Sequence, residues 1–346
     1  MPKLLKDYPI IIICLLLAIM LLPNLDAIQV TIMEARNFIT AREMLLDDHW
    51  LLTTMNGEAR YEKPPLPTWL TAISGLIFGV KSVFGMRLAA IIMIMVLAVY
   101  SFKLSKTILK SRAHSMINTL ILITSFYVIG ITIEAPWDIF THGFMMVAIY
   151  HLFKFFKSEN TEWKHALFAA LGIGFSLLSK GPVSFYALLL PFLLAFSFSF
   201  NYKKIKSKVF PLILIVVLAL IVGGWWYFYV RLEDPATFAA ITSKETGNWT
   251  SYNVRPFYYY WSFFTQSGLW TIPAFISLLY PYLKKRVVHY KAYKFTFLWT
   301  IFAVILLSII PEKKSRYLMP VLIPLALNIG FYIEYLIRKF KTLKDK

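Results

Sequence analysis

Ten stretches of this chain approach the length of a bilayer crossing with almost no charge in them, at about residues 8–23, 86–102, 115–133, 139–153, 166–179, 182–200, 209–230, 259–282, 295–310 and 317–337. That repetition limits the fold more than any single motif. A chain in lipid must satisfy its backbone polar groups internally, so spans of this length are helices. The expected class is an all-α polytopic membrane protein of about ten transmembrane helices. Composition agrees: 58% of residues are hydrophobic and 16% charged, against roughly 25% charged in soluble domains. The first run follows Lys3 and Lys6 and no small-residue cleavage site follows it, so it reads as an anchor rather than a leader. Cys14, the one cysteine, lies inside that run. An intrachain disulfide is therefore impossible, and a thiol nucleophile there would sit in lipid.

The net charge of +18 does not imply nucleic acid, because in a membrane protein basic residues gather on the cytoplasmic side. With the N-terminus inside and 65–80 not crossing, the inner pieces are 1–7, 103–114, 154–165, 201–208, 284–294 and 338–346. They hold 23 Lys+Arg and 4 acids, a net +19, while the outer pieces balance at zero. A crossing at 65–80 would turn every later basic loop outward. That segment, entered through Pro64 and Pro65, is expected to lie on the outer surface as a helix. The chain then reads as one integral-membrane domain, 1–346, with outer loops at 24–85 and 231–258.

The first outer loop is dense in charge. Ala35, Phe38, Ile39, Leu45 and Leu46 recur at helical spacing, which predicts an interfacial amphipathic helix. Asn56-Gly57 marks a turn before the second helix. For Asp47, Asp48, Glu58 and Arg60 solvation of a surface is the expected role.

Other charges stand at the outer ends of spans. Glu134 and Asp138 flank "APW", and Lys180 sits in the tight turn "LLSKGPVSF". Arg231, Glu233 and Asp234 follow "GGWWYFYV", and Lys313, Lys314 and Arg316 fill "PEKKSRYLMP". A turn needs Gly181-Pro182 but not a lysine. Outward cations beside carboxylates predict a site that holds an anion next to an acid or base. A lipid phosphate needs Lys or Arg, and a nearby carboxylate can take a proton from an acceptor hydroxyl. The chain has no glycine-rich nucleotide loop, Cys/His metal cluster or Gly-x-Ser-x-Gly elbow.

With these residues in view, a family resemblance emerges. "MEARNFITAREM", the tryptophan after it and "NGEARYEKPPLPTWL" resemble the first outer loop of the lipid A aminoarabinose transferases, which belong with the protein O-mannosyltransferases to the GT-C superfamily. "PWDIFTHGFM", "LLSKGPV", "RPFYYYWSFF" and "EKKSRYLMPVLIPLAL" resemble the later family motifs in order. The resemblance spans nearly the whole chain, but the family's last spans and soluble periplasmic domain have no counterpart, so a short form is expected. It implies an enzyme that takes a sugar from a polyprenyl-phosphate carrier and passes it to a lipid, glycan or protein acceptor on the outer face of the inner membrane. Lipid A modification is one such task in the cell envelope.

Carried over by motif, Glu34 and Arg36 match the first signature, Glu62 and Lys63 the Glu-Lys-Pro-Pro, and Asp138 the second-loop aspartate. Lys180 matches the lysine before Gly-Pro, and Arg316 and Tyr317 match the late turn. Lys63, Lys180, Arg316 and Arg36 are thus expected on the donor phosphate, with Glu62 and Tyr317 beside them. The family's catalytic aspartate falls on Met33, which cannot act as a base. Glu34 is the favoured replacement, with Asp138 as its partner, and Asp26 follows closely. Some relatives hold zinc near the Glu-Lys-Pro-Pro glutamate through a histidine. The matching loop "SKETGNWTSYNVRPF" has none, so no zinc and no other cofactor is expected, a divalent metal being left open. Two rival readings are a sugar-lipid flippase and a non-catalytic member in envelope assembly. Against the flippase, the Lys, Arg, Asp and Glu residues avoid span interiors and no internal repeat is visible.

Overall fold

The computed structural model describes residues 7–23, 25–134 and 136–344. It is a helical bundle in which α1 (Pro9–Leu21), α4 (Val83–Leu109), α7 (Pro136–Lys157), α8 (Trp163–Lys180), α10 (Val209–Glu233), α14 (Tyr290–Ile309) and α15 (Met319–Lys344) supply the long apolar elements. Among the described residues five helices are long and apolar enough to cross a membrane, a bent pair makes a sixth candidate, and Pro9–Leu21, Leu66–Phe78 and Phe185–Ser199, which ends in α9 (Leu190–Ser199), are shorter apolar helices. The chain is a multi-pass membrane protein.

Two of the expected spans take a different form. The run 115–133 divides into α5 (Arg112–Ile123) and α6 (Phe126–Glu134), bent by 53°. At the break Thr124 Oγ1 donates to the Leu120 carbonyl at 2.6 Å and Ser125 Oγ to that of Ile121 at 2.7 Å. Back-bonding of this kind draws carbonyls out of the helical ladder and bends it. The run 259–282 is not one helix. It breaks into 3₁₀ segments at Phe257–Tyr260 and Phe263–Trp270, then α12 (Thr271–Leu278) and α13 (Tyr280–Leu283). Gly268, at φ 65°, turns the chain where a Cβ would meet Phe126 Cβ at 2.8 Å.

Close packing of α7, α8 and α10 positions the site. A Cβ on Gly172 would lie 2.8 Å from the Ala148 nitrogen, and one on Gly223 would lie 2.8 Å from the Gly174 carbonyl. Small residues let the backbones approach where apolar helices gain little from leaving lipid. The start of α7 and the end of α8 meet at one end of the bundle. The outward face of α10, with Phe210, Ile213, Val216, Leu220 and Phe228, is exposed and suits lipid tails.

The first loop forms two helices, α2 (Ile32–Leu46) and, over the segment 65–80, α3 (Leu66–Phe78). The face that α2 buries is not the expected apolar one: Glu34, Asn37, Thr40, Ala41, Glu43 and Met44 are buried, while Ala35, Phe38, Ile39 and Leu45 are half-buried and Leu46 is exposed. The two helices are joined at Asn37, whose Nδ2 donates to Thr71 Oγ1 at 2.9 Å and whose Oδ1 accepts from Thr68 Oγ1 at 2.8 Å. Between them Asn56-Gly57 closes a two-stranded hairpin, β1 (Thr54–Met55) with β2 (Glu58–Ala59), paired Thr54 to Ala59. Positive φ at Asn56 and Gly57 is the type I′ geometry that such sequences favour. Glu43 holds the turn, accepting from the Asn56 N–H at 2.6 Å and the Gly57 N–H at 3.4 Å.

Candidate active site

A cavity of about 1090 Å³ opens at the end of the bundle where α7 begins and α8 ends. Its wall comes from α2, the segment after the hairpin, α11 (Pro235–Ser251) and the turn before α15. Helix α11 is capped by Asp234, which accepts from the Thr237 N–H at 3.3 Å and from Tyr61 Oη at 3.1 Å. Burial, with Asp234 beside it, pushes the Tyr61 phenol up to about 12. The turn before α15 is strapped to the chain after α11, with Val254 bridged to Glu312.

Arg36, Lys63, Lys180 and Arg316 all line this one cavity. Lys180 Nζ is bonded to Asp138 Oδ1, with side chains 8% and 2% exposed. Lys63 Nζ lies 3.4 Å from Glu245. Arg316 stands over the Tyr317 ring, its guanidinium carbon 5.8 Å from the centroid, and its Nε is buried with no hydrogen-bond partner among the described residues. Trp137 Nε1, also in the wall, is likewise buried without a partner among the described residues. Unpaired buried donors are costly unless a ligand meets them. Glu62 and Tyr317 line the same space.

The three carboxylates considered for the base part company. Asp138 lines the cavity. Asp26 is exposed in the turn after α1 and does not line it. Glu34, the favoured residue, does not line it either. It forms a capping box with Thr31, whose N–H donates to Oε2 at 3.0 Å, and it is paired with Arg87, Nε to Oε1 at 2.7 Å and Nη2 to Oε2 at 2.9 Å. Both oxygens are engaged inside the protein, so Glu34 is an anchor for the entry to α2 rather than a free base. Met33 does face the cavity. One helical step, about 100°, separates the two side chains.

Some residues of the site escaped the sequence reading. Arg60, expected to be a solvated surface charge, lines the cavity. Its Nη1 donates to Thr40 Oγ1 at 2.8 Å and its guanidinium lies 5.1 Å from the Trp137 ring centre. Burial lowers it to about 10. Lys244 and Glu245 reach the cavity from α11, and Glu312 lines it while pairing with Lys314 at 2.5 Å. No spacing signal marked these positions; only the placement of the hairpin, α11 and the strap brings them in. Arg231 does not line the cavity, and neither does Lys313. Lys313 Nζ is spent on the carbonyls of Ile310 at 2.6 Å and Arg255 at 3.1 Å, fastening the strap.

Residues 62–227 match the family described as dolichyl-phosphate-mannose-protein mannosyltransferase. Over 345 residues the chain is 25% identical to the undecaprenyl phosphate-alpha-4-amino-4-deoxy-L-arabinose arabinosyl transferase of Yersinia pestis, covering 95% of this chain and 60% of that protein. The chain thus spans about 60% of the length of the curated relatives it matches. Among solved structures, ArnT from Cupriavidus metallidurans bound to undecaprenyl phosphate superposes with a TM-score of 0.77 at 16% identity, over 98% of this chain and 63% of that one. The oligosaccharyltransferase of Archaeoglobus fulgidus in its apo form gives 0.57 at 11% identity, over 99% of this chain and 52% of that one. In fold and in sequence the chain resembles the GT-C membrane glycosyltransferases of the aminoarabinose-transferase and protein-mannosyltransferase type.

Proposed function

We propose that the protein transfers a sugar from a polyprenyl-phosphate carrier to an acceptor hydroxyl on a lipid, glycan or protein. The observation that carries this reading is the convergence of Arg36, Lys63, Lys180 and Arg316 with Asp138 on one cavity at the end of an apolar bundle. In the transfer the carrier phosphate is the leaving group, and its charge grows as the sugar bond breaks. Fixed cations therefore stabilise the transition state more than the bound donor. Asp138 is the carboxylate suited to take the acceptor proton, now that Glu34 is committed to Arg87. Attack opposite the phosphate inverts the anomeric configuration. The relative from Yersinia pestis, named for undecaprenyl-phosphate aminoarabinose, and the ArnT structure with undecaprenyl phosphate support a polyprenyl donor.

We place the protein in the inner membrane with the cavity facing outward. The +19 charge of the inner pieces against the neutral outer ones supports that orientation. No ATP or nucleotide sugar is available outside, which suits a lipid-linked donor. The direct test follows sugar from a labelled polyprenyl-phosphate donor with purified protein, and compares mass spectra of glycolipids and envelope glycans from cells with and without it. Donor left intact and unchanged spectra overturn the reading.

A further inference from the structure

Lys180 is committed to Asp138, yet it stands where the donor phosphate of the reading above must bind. The Tyr317 ring shows how both can hold. Lys180 Nζ lies 5.3 Å from the ring centroid and the Arg316 guanidinium carbon 5.8 Å from it, so both cations stand near one aromatic side chain, with Lys314 Nζ at 5.7 Å. Arg316 Nε is buried and unpaired among the described residues, which points to an acceptor group arriving from outside the protein. Lys63 is paired with Glu245 at 3.4 Å, with both side chains partly exposed. An anion seated by Arg316 and Lys63 would come within reach of the flexible lysine stem at position 180.

We infer that Lys180 changes partners. In the free protein it masks Asp138; the donor phosphate draws it away and uncovers Asp138 as the base. The inference rests on the polyprenyl-phosphate reading. A carboxylate tied to an ammonium is a weak proton acceptor, and releasing it restores its basicity. His142, one turn further along α7, is engaged with Ser184 through a 2.7 Å bond between Nδ1 and Oγ.

The step balances. The acceptor oxygen bonds to the anomeric carbon while its proton passes to the Asp138 carboxylate. The bond from that carbon to the phosphate oxygen breaks, and its electron pair leaves with the phosphate, where Lys180 and Arg316 meet the new charge. When the carrier phosphate departs, Asp138 returns its proton to solvent and Lys180 closes on it again. The base is thus available only while donor is bound, so donor binding precedes acceptor activation.

A hydrophobic carbodiimide tests this on the full chain in lipid nanodiscs, since it joins a carboxylate and an amine only where they touch. Peptide mass spectrometry should find the Asp138–Lys180 isopeptide in the free protein. Saturating undecaprenyl phosphate should lower its yield several-fold, and undecaprenol should leave it unchanged. Native mass spectrometry of the same samples reports whether the lipid is bound. Asp138→Asn should bind undecaprenyl phosphate several-fold tighter than wild type, because Lys180 is free to meet it, while turnover is lost. Bound undecaprenyl phosphate with an unchanged cross-link, or an Asp138→Asn protein that binds no tighter, overturns the partner change alone. No binding by either protein overturns the donor reading and the inference with it.

Discussion

Arg87 grips Glu34 across 53 residues of sequence through Nε to Oε1 at 2.7 Å and Nη2 to Oε2 at 2.9 Å. The same guanidinium reaches the carbonyl of Ile28 at 2.9 Å and that of Leu25. The pair therefore ties the start of α2 and the chain after α1 to helix α4. Removing one member leaves the other charge buried and uncompensated. Glu34→Ala and Arg87→Ala should each destabilise the protein by about 3–5 kcal/mol, read as a lower thermal unfolding midpoint in detergent. Glu34→Gln protein that remains folded should keep turning over donor. A folded Glu34→Gln variant with no turnover would return the base to this position.

Arg316 and Lys63 are expected to act on the leaving phosphate. Arg316→Ala and Lys63→Ala should each cost on the order of 2–4 kcal/mol in transition-state stabilisation, measured as kcat/KM with a polyprenyl-phosphate sugar, with unfolding midpoints near wild type. Wild-type rates in both variants would remove these residues from the phosphate.

The hairpin that delivers Arg60, Glu62 and Lys63 to the cavity depends on Glu43. Burial raises its carboxyl, but hydrogen bonds from Thr54, Asn56 and Gly57, with Arg42 nearby, more than offset this and leave it below the ordinary 4.5. The unfolded chain then binds a proton more readily than the folded one. The stabilisation is present above 4.5 and is lost as pH falls through the lower, folded value. Hydrogen exchange at Asn56 and Gly57, corrected for intrinsic rates, should show protection falling on acidification, and Glu43→Gln should show low protection at neutral pH. Protection in Glu43→Gln that matches wild type at neutral pH would dissociate Glu43 from the turn.

The orientation can be read by single-cysteine labelling after Cys14 is replaced. An impermeant thiol reagent applied to intact cells should label a cysteine at Glu62 and spare one at Lys110. Labelling at position 110 from outside would invert the proposed topology.

Much of the architecture was legible in the sequence because membrane burial acts on whole segments. Long uncharged runs specify helices, the asymmetry of lysine and arginine proposes a topology, and Asn56-Gly57 specifies its turn through the backbone preferences of those two residues. Lys180 and Arg316 could be picked out because each stood near a turn that did not need it, whereas Arg36 and Lys63 were marked only by their match to the family motifs. Which carboxylate faces the cavity could not be read this way. Glu34 and Met33 are adjacent in sequence, but one helical step sends the methionine into the cavity and the glutamate to Arg87, 53 residues away. Arg60 and Glu245 likewise become cavity residues only when the hairpin and α11 close over the ends of α7 and α8. Periodicity reports which side of an element is apolar; the partner that a charged side chain meets is set by elements distant in sequence, and only the packed bundle decides it.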